Sequence, residues 1–153
     1  MKLYLVQHGA AMSEAENPAR PLAAAGRADV EKVGRCLARV PLVAKRPAVR
    51  HSGKLRAAQT AELLCAGLGW PAPEVLAGLA PNDPPETTQE FVSSSRDDLV
   101  LVGHLPHLAR LAALLLRTPA PPVRFRMGGV VCLDRDQTGN WALEWMLIPD
   151  LLV

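Results

Sequence analysis

The sequence contains few cysteines, little net charge and no long hydrophobic run, and each of these shortages excludes a class of protein. Its three cysteines, Cys36, Cys65 and Cys132, are widely spaced and form no C-x-x-C pair. We therefore expect neither a disulfide framework nor a structural zinc site. The 17 basic residues against 15 acidic ones leave a net charge of +2, which is too balanced to indicate a nucleic-acid-binding protein.

The hydrophobic segments are too short for targeting or for membrane insertion. The apolar start, residues 3–6, is much shorter than the core of a signal peptide. The longest apolar run of the C-terminal half, residues 111–116, lies between Arg110 and Arg117, whereas a membrane span needs about 20 residues. Together with the cysteine pattern, these lengths predict a cytoplasmic protein that has no membrane partner.

Length and periodicity predict a single α/β domain over residues 1–153. Hydrophobic residues make up 49% and charged residues 21% of the chain, a globular composition without repeats or linkers. The apolar pattern predicts strands at 2–6, 47–50, 99–102, 130–133 and 141–148, and helices at 26–40, 55–68, 87–95 and 107–117. The proline-rich stretch 70–85 is expected to be a loop with one short strand around Val75, and Trp141 and Trp145 are expected to share one face of the last strand. The alternation of strands and helices indicates a three-layer α/β/α sandwich with a mainly parallel central sheet.

Polar side chains suited to anion binding follow three of the predicted strands. His8 follows the first strand, Ser52 and the nearby Arg56 follow the second, and His104 follows the strand at 99–102. Ligands of such sheets bind beyond the carboxyl ends of the strands, so we expect these side chains to meet at one rim. Two imidazoles and a guanidinium suit a compact anion, and Arg56 lies in the first turn of its helix, where free backbone N–H groups favour phosphate.

Four spaced motifs carry a resemblance to a known family. Residues 7–11 read Q-H-G-A-A and resemble the R-H-G-[DE]-A motif of the histidine phosphatase superfamily, the phosphoglycerate mutase-like proteins. Residues 20–26 are similar to the R-P-L-x-x-x-G of its small branch, the SixA-type phosphohistidine phosphatases. Residues 52–60 resemble S-x-x-x-R-A-x-Q-T, and residues 103–106 resemble the family's S/G-H-L-P. The motifs occur in the family's order, and the chain length suits the small branch.

The resemblance implies a two-step phosphoryl transfer that uses no metal or other cofactor. His8 would be the nucleophile, while His104 and Arg56 would hold the phosphoryl oxygens and spread the charge of the transition state. The residues that the resemblance assigns to phosphate binding are Gln7, Gly9, Arg20, Ser52, Arg56 and His104. A metal between His104 and His107, which the spacing would allow, lacks a partner carboxylate. The implied partner is a phosphorylated protein, such as a His-containing phosphotransfer domain, or a small phosphate ester, and the protein itself is expected to be a monomer or a weak dimer.

The sequence departs from the family pattern at a position that bears directly on phosphate binding. Gln7 replaces an arginine that would supply a permanent charge and a two-pronged grip on phosphate. The loss of one such donor typically lowers a rate by about 10²–10³, and Arg20, Arg50 and Lys54 are the candidates to compensate. We also expect the less cationic pocket to favour protonated His8, which moves the nucleophilic form to higher pH.

A general acid is also not evident. Ala10 stands where the family usually has an acidic residue, and the candidate acids are Asp83 and Glu86 of the proline-rich loop, with exposed loop charges as the alternative. A site without a strong acid suits a good leaving group, because an alkyl phosphate leaves as an alkoxide whereas phosphohistidine leaves as an imidazole. The sequence thus predicts a SixA-type phosphohistidine phosphatase whose activity Gln7 reduces. Two alternatives remain open: a small-molecule phosphomonoesterase, and a degenerate member that binds phosphorylated ligands without useful turnover.

Overall fold

A six-stranded mixed sheet forms the centre of the molecule. The structure, a computed structural model, describes residues 1–153. The strands are β1 (Lys2–Gln7), β2 (Ala48–His51), β3 (Glu74–Val75), β4 (Leu99–Gly103), β5 (Val130–Arg135) and β6 (Trp141–Leu147). Their order in the sheet is β3-β2-β4-β1-β5-β6. The first four of these run parallel, and the hairpin of β5 and β6 adds antiparallel strands beside β1.

Helices cover both faces of this sheet. They are α1 (Ala24–Leu37), α2 (Leu55–Leu68), α3 (Pro85–Ser94) and α4 (His107–Leu115), and a 3₁₀ turn spans Pro149–Leu151. None of the helices has the length and apolar composition needed to cross a membrane. Alternate residues of β4 serve the two cores: Val100 and Val102 pack with α1 and α2, whereas Leu99 and Leu101 pack with α3 and α4. This layering confirms the predicted α/β sandwich with a mainly parallel sheet.

The two helices that pack with Val100 and Val102, α1 and α2, end in different ways. α2 has the predicted bounds because Gly69, with a φ of 66°, adopts the left-handed conformation that ends a helix. α1 ends at Leu37 rather than at residue 40. The next two residues continue in tight turns, in which Ala38 donates its N–H to the carbonyl of Gly34 and Arg39 to that of Cys36.

The prediction that Trp141 and Trp145 share one face of β6 is wrong. The pairing of β5 with β6 shifts by one residue between Cys132 and Leu133, at a β-bulge. A bulge inserts an extra residue into one strand, so the alternation of faces is reversed beyond it. As a result Trp145 packs in the core with α1 and α2, with its ring centroid 5.9 Å from that of Tyr4, whereas Trp141 packs in the opposite core.

The four parallel strands end at one edge of the sheet, and this edge positions the candidate site. Gln7 of β1 is in register with Gly103 of β4. His8 and His104 are the next residues after these two paired positions, so both leave neighbouring strands at the same level. Ser52 follows β2, on the other side of β4.

Candidate active site

The ring of His8 is held in one tautomer by its two hydrogen bonds. Its Nδ1 lies 2.7 Å from the carbonyl oxygen of Gly9, which only accepts, so Nδ1 carries the proton. Nε2 is then unprotonated, and its lone pair accepts the Nε–H of Arg56 over 3.3 Å. Burial lowers the pKa of His8 below its usual value, the Gly9 carbonyl opposes this shift, and the positive charges of Arg56 and Arg20 add to it. His8 is therefore a neutral imidazole at neutral pH, with a nucleophilic nitrogen beside a guanidinium.

A second imidazole, His104, lies beside His8, with the two ring centroids 4.9 Å apart. Its Nε2 is 2.6 Å from the hydroxyl oxygen of Ser52, and its Nδ1 is buried without a partner. The side chain is only 2% exposed. Burial, followed by the positive charges of Arg56, Lys54 and, at acidic pH, protonated His8, lowers the pKa of His104 to about 3. His104 and Ser52 therefore form a neutral hydrogen-bonding pair, and His8, Ser52, Arg56 and His104 make up what we term the His8 cluster.

Helix α2 carries Arg56 and also holds the loop that follows β1. Thr60 is fully buried, and its hydroxyl accepts the N–H of Gly9 over 3.0 Å and donates to the carbonyl of Arg56 over 2.7 Å. Gln59 accepts the N–H of Leu22 over 2.8 Å. Neither contact was evident from the sequence, although the R-A-x-Q-T motif contains both residues and Thr60 lies one helical turn from Arg56. The Gly9 N–H is thus bonded to Thr60 in this structure, and this bond ties the loop after β1 to α2.

Gln7 occupies a buried position next to the His8 cluster. Its side chain is 8% exposed, and its Oε1 is buried without a hydrogen-bond partner. The N–H of Gly128 donates to the Gln7 carbonyl over 2.9 Å and is 3.2 Å from the carbonyl of His8. The turn at 126–129 thus supports the end of β1, a contact between distant segments that the sequence did not indicate. The amide brings only a neutral group to a place where the family motif has a positive charge.

Arg20 brings a further positive charge to the surroundings of His8 and Arg56. Its backbone is left-handed, with a φ of 49°, and its Nε donates to the carbonyl of Met12 over 3.2 Å. The terminal nitrogens of the guanidinium have no hydrogen bond or ion pair. Its charge acts on both His8 and Arg56, since it lowers the pKa of each.

The other two basic residues predicted to compensate for Gln7 differ in their surroundings. Arg50 forms an ion pair with Glu74, with 3.1 Å between the two charged groups. Lys54 is exposed, and its charge contributes to the lowered pKa of His104. The structure therefore brings Arg20 and Lys54 close to the His8 cluster and pairs Arg50 elsewhere.

Neither candidate general acid is hydrogen-bonded to the cluster. The Asp83 carboxylate accepts the N–H of Ala80 over 2.9 Å and so closes a turn of the proline-rich loop. Glu86 is exposed in the first turn of α3. The charged groups that act on the pKa of His8 and His104 are all basic. The chemistry at the two imidazoles thus rests on basic and neutral groups.

His107, which a metal would need as a second ligand, is engaged in the loop instead. Its Nδ1 lies 3.0 Å from the carbonyl oxygen of Asp83 and its Nε2 lies 3.1 Å from the hydroxyl of Thr88. The ring is fully buried. It connects the start of α4 to the loop and to α3.

The arrangement has the parts that phosphoryl transfer to nitrogen requires. A neutral ring nitrogen supplies the lone pair, and a guanidinium adjacent to it attracts phosphoryl oxygens. The neutral Ser52–His104 pair adds hydrogen-bonding groups. No proton has to be removed from Nε2 of His8 before it attacks. Only the hydrogen bond from Arg56 has to be released, and the guanidinium can then bind the phosphoryl oxygens instead.

Known proteins resemble this chain in sequence and in structure. The chain matches no family model. It is 34% identical over 119 residues to an uncharacterized protein of Picosynechococcus sp., a match that covers 73% of this chain and 71% of that protein.

Solved structures resemble the chain over nearly its whole length. The protein histidine phosphatase SixA complexed with tungstate has 25% identity and a TM-score of 0.85, with 99% of both chains covered. A protein of Agrobacterium tumefaciens named as a SixA phosphohistidine phosphatase has 23% identity and a TM-score of 0.78, with 97% of both chains covered. A phosphoglycerate mutase from Plasmodium falciparum has 17% identity and a TM-score of 0.72 over 94% of this chain and 88% of its own. The last two structures share the phosphoglycerate mutase-like fold with this chain. The likeness to SixA at 25% identity, joined to the four motifs, shows that the chain belongs to the histidine phosphatase superfamily.

Proposed function

We propose that this protein is a phosphatase that removes phosphoryl groups from phosphohistidine in proteins through a phosphohistidine intermediate on His8. The observation that carries the proposal is the His8 ring, with its proton held on Nδ1 by the Gly9 carbonyl and its lone pair on Nε2 beside Arg56. The likeness to SixA over the whole chain supports the same class of activity.

In the first step, Nε2 of His8 attacks the phosphorus of the substrate. An N–P bond forms and the bond to the leaving group breaks. The Gly9 carbonyl keeps the proton on Nδ1 while the ring gains positive charge, and Arg56 offsets the charge of the phosphoryl oxygens. A phosphohistidine substrate that is protonated on its other ring nitrogen leaves as a neutral imidazole.

In the second step, water attacks the phosphorus and the new N–P bond breaks. The bonding pair returns to Nε2, and both hydrogens of the water remain on the product, dihydrogen phosphate. His8 is then again the neutral tautomer that began the cycle. The proton on Nδ1 assists this step, because the ring departs as neutral imidazole rather than as imidazolate.

The charges around the site favour a substrate with a P–N bond. Neither Asp83 nor Glu86 is hydrogen-bonded to the cluster: Asp83 accepts the N–H of Ala80, and Glu86 is exposed. An imidazole leaves without the help of a general acid, whereas an alkyl ester needs it. We therefore expect phosphohistidine to be a better substrate than a sugar phosphate.

Gln7 reduces the rate in this proposal, and Arg20 limits the loss. Gln7 provides no charge for the phosphoryl oxygens. The free end of Arg20 and its influence on His8 and Arg56 make it the residue best placed to supply a second guanidinium.

Phosphate release from two substrates tests the proposed function. The substrates are a phosphorylated His-containing phosphotransfer domain and p-nitrophenyl phosphate. We expect faster release from the phosphoprotein, and loss of both activities in His8→Ala. Arg56→Ala should lower the rate by about 10²–10³, while Arg35→Ala, a matched change at an exposed arginine of α1, should leave it unchanged.

Each other outcome supports a different conclusion. Faster release from p-nitrophenyl phosphate would identify a small-molecule phosphomonoesterase. Binding of the phosphoprotein without release by the native chain would identify the degenerate binding member that Gln7 favours. Release that persists in His8→Ala would overturn the proposed intermediate.

A further inference from the structure

Four exposed apolar side chains adjoin the His8 cluster, either along the chain or through a neighbouring residue, and we term them the apolar rim: Leu55, Val75, Leu105 and Met127. Their exposed fractions are 40%, 65%, 39% and 52%. The chain has eight large hydrophobic side chains with such exposure, so half of them adjoin one small site. Single exposed apolar residues are common on soluble proteins, but a group of them around a polar centre marks a binding surface.

Two members of the rim adjoin the cluster along the chain. Leu55 is the first residue of α2 and directly precedes Arg56. Leu105 directly follows His104 and precedes the start of α4. The backbone segments that position Arg56 and His104 therefore also position Leu55 and Leu105.

The other two members reach the cluster through packing. Met127 precedes Gly128, whose N–H lies 3.2 Å from the carbonyl oxygen of His8. Val75 lies at the end of β3, and its Cγ1 is 3.4 Å from the position that a Cβ on Gly53 would take, next to the cluster residue Ser52. The rim therefore draws its members from four separate segments of the chain.

The site that the rim adjoins is basic. Arg20, Lys54 and Arg56 act electrostatically on the two imidazoles, and Arg126 is exposed beside Met127. A free phosphate ester of small size would occupy this site and leave the rim in water. A phosphoryl group carried on the surface of a folded protein would bring apolar surface onto the rim at the same time, so burial of both sides stabilises the complex.

We propose that the apolar rim is the docking surface for the folded protein domain that carries the phosphohistidine. This inference rests on the proposed function and deepens it, because it assigns the recognition of the partner to residues outside the reacting centre. The expected partner presents its phosphorylated side chain within an apolar patch.

Steady-state kinetics of a rim variant on two substrates tests the inference. The variant is Leu55→Gln/Val75→Thr/Met127→Gln, which changes only exposed side chains and leaves Leu105 beside His104 intact. With a phosphorylated His-containing phosphotransfer domain, kcat/KM should fall by about tenfold or more, mainly through KM. With phosphoramidate, a P–N compound too small to span the rim, kcat/KM should change by less than about twofold. The control is Leu143→Gln, an equally exposed apolar residue of β6, which should alter neither.

The small substrate separates the two proposals. Phosphoramidate turnover that requires His8, together with unchanged turnover of the phosphoprotein by the rim variant, overturns the docking surface and leaves the proposed function intact. Equal losses on both substrates also overturn it, since the rim would then support the reacting centre. A native dimer that the rim changes convert to a monomer would assign the surface to a second copy of the chain instead. If neither substrate is turned over by the native chain, the proposed function fails, and binding of the phosphoprotein to the native and the rim variant still decides whether the surface docks it.

Discussion

Gln7 leaves a buried oxygen without a partner at the position that matters most for binding an anion. A buried acceptor without a hydrogen bond costs about 1–3 kcal/mol, and the Oε1 of Gln7 is in this state. Gln7 therefore stabilises the fold less than an apolar side chain of similar volume would. It also stabilises a bound phosphate less than an arginine would. This makes position 7 the sharpest single-residue test of the site.

Gln7→Arg is expected to raise kcat/KM on a phosphohistidine protein by about tenfold or more, with about 10²–10³ as the upper range for one restored donor. The new charge would add to those of Arg56 and Arg20, which already lower the pKa of His8. The nucleophile then stays neutral to lower pH, so the acidic limb of the pH profile of kcat/KM shifts to lower pH. Rates measured across the pH range for both proteins check both effects.

Gln7→Met is the matched control for this change. It has a similar volume, lacks the amide and removes the unpaired oxygen, so we expect an unfolding midpoint in urea that is equal to or higher than the native one. Its activity should not exceed that of the native chain. Acidic limbs that coincide in the native and Gln7→Arg proteins would contradict the electrostatic account of position 7.

At this scale, motif spacing was informative where backbone geometry dictates the position of a side chain. His8, Ser52 and His104 each follow directly on a strand, and Arg56 lies in the first turn of a helix, so their placement depends on few dihedral angles. The choice between Arg20 and the other cations was not predictable, because the course of an irregular loop decides where such a long side chain ends. The role of Thr60 depends on a backbone N–H from another segment and was missed for the same reason.

Among the elements, the contact between α1 and the loop after β1 controls where His8 lies. Gly26, in the first turn of α1, is so close to this loop that an added Cβ would be 2.1 Å from the carbonyl oxygen of Ala10 and 2.7 Å from its nitrogen. No real Cβ tolerates such distances to a backbone. The R-P-L-x-x-x-G motif thus has a packing reason for its glycine.

Gly26→Ala is expected to destabilise the protein by about 1–3 kcal/mol, the usual range for overpacking, despite the better helix propensity of alanine. It should also lower kcat, since the displaced loop carries the Gly9 carbonyl that orients His8. Gly34→Ala in the same helix is the control, because its nearest contact would be Leu64 Cδ2 at an ordinary 3.8 Å. That control should be neutral or stabilising by up to about 1 kcal/mol. Urea denaturation of both variants distinguishes them, and equal stability would refute the close-packing argument.

A local sequence pattern predicts some features of helices and strands but not others. The bounds of α2 were predictable because a glycine in the left-handed conformation ends it. The facing of β6 was not, because the bulge opposite Cys132 and Leu133 reverses the alternation and has no signal in the sequence of the strand itself.

For the whole molecule, alternating strands and helices predicted the layers but not the order of the strands. That order places β1 between β4 and β5, so the hairpin at the end of the chain supports the strand that carries His8. Such pairings depend on contacts between distant segments. The same topology gathers the carboxyl ends of the parallel strands, and with them several imidazoles, at one partly buried edge.

These imidazoles make the stability of the molecule depend on pH. Burial lowers the pKa of His8, His51 and His104, the last to about 3. In the unfolded chain each would titrate near about 6.5. As the pH falls below that value, the unfolded chain binds more protons than the folded one, so the free energy of unfolding decreases by at most about 1.4 kcal/mol per pH unit for each group. The contribution is complete above the unfolded pKa and is lost toward acid.

We therefore expect the urea midpoint of unfolding, followed by circular dichroism, to fall between about pH 7 and about pH 5, above the range in which most carboxylates titrate. His104→Asn removes the group with the largest shift and should reduce this slope. Inorganic phosphate gives a second test that needs no variant: an anion in the His8 cluster favours protonated imidazoles in the folded state, so it should raise the midpoint more at the lower pH than at the higher one. A midpoint that stays constant over this range would mean that the imidazoles are solvated in the native state, and the neutral nucleophile of the proposed reaction would then lose its main physical support.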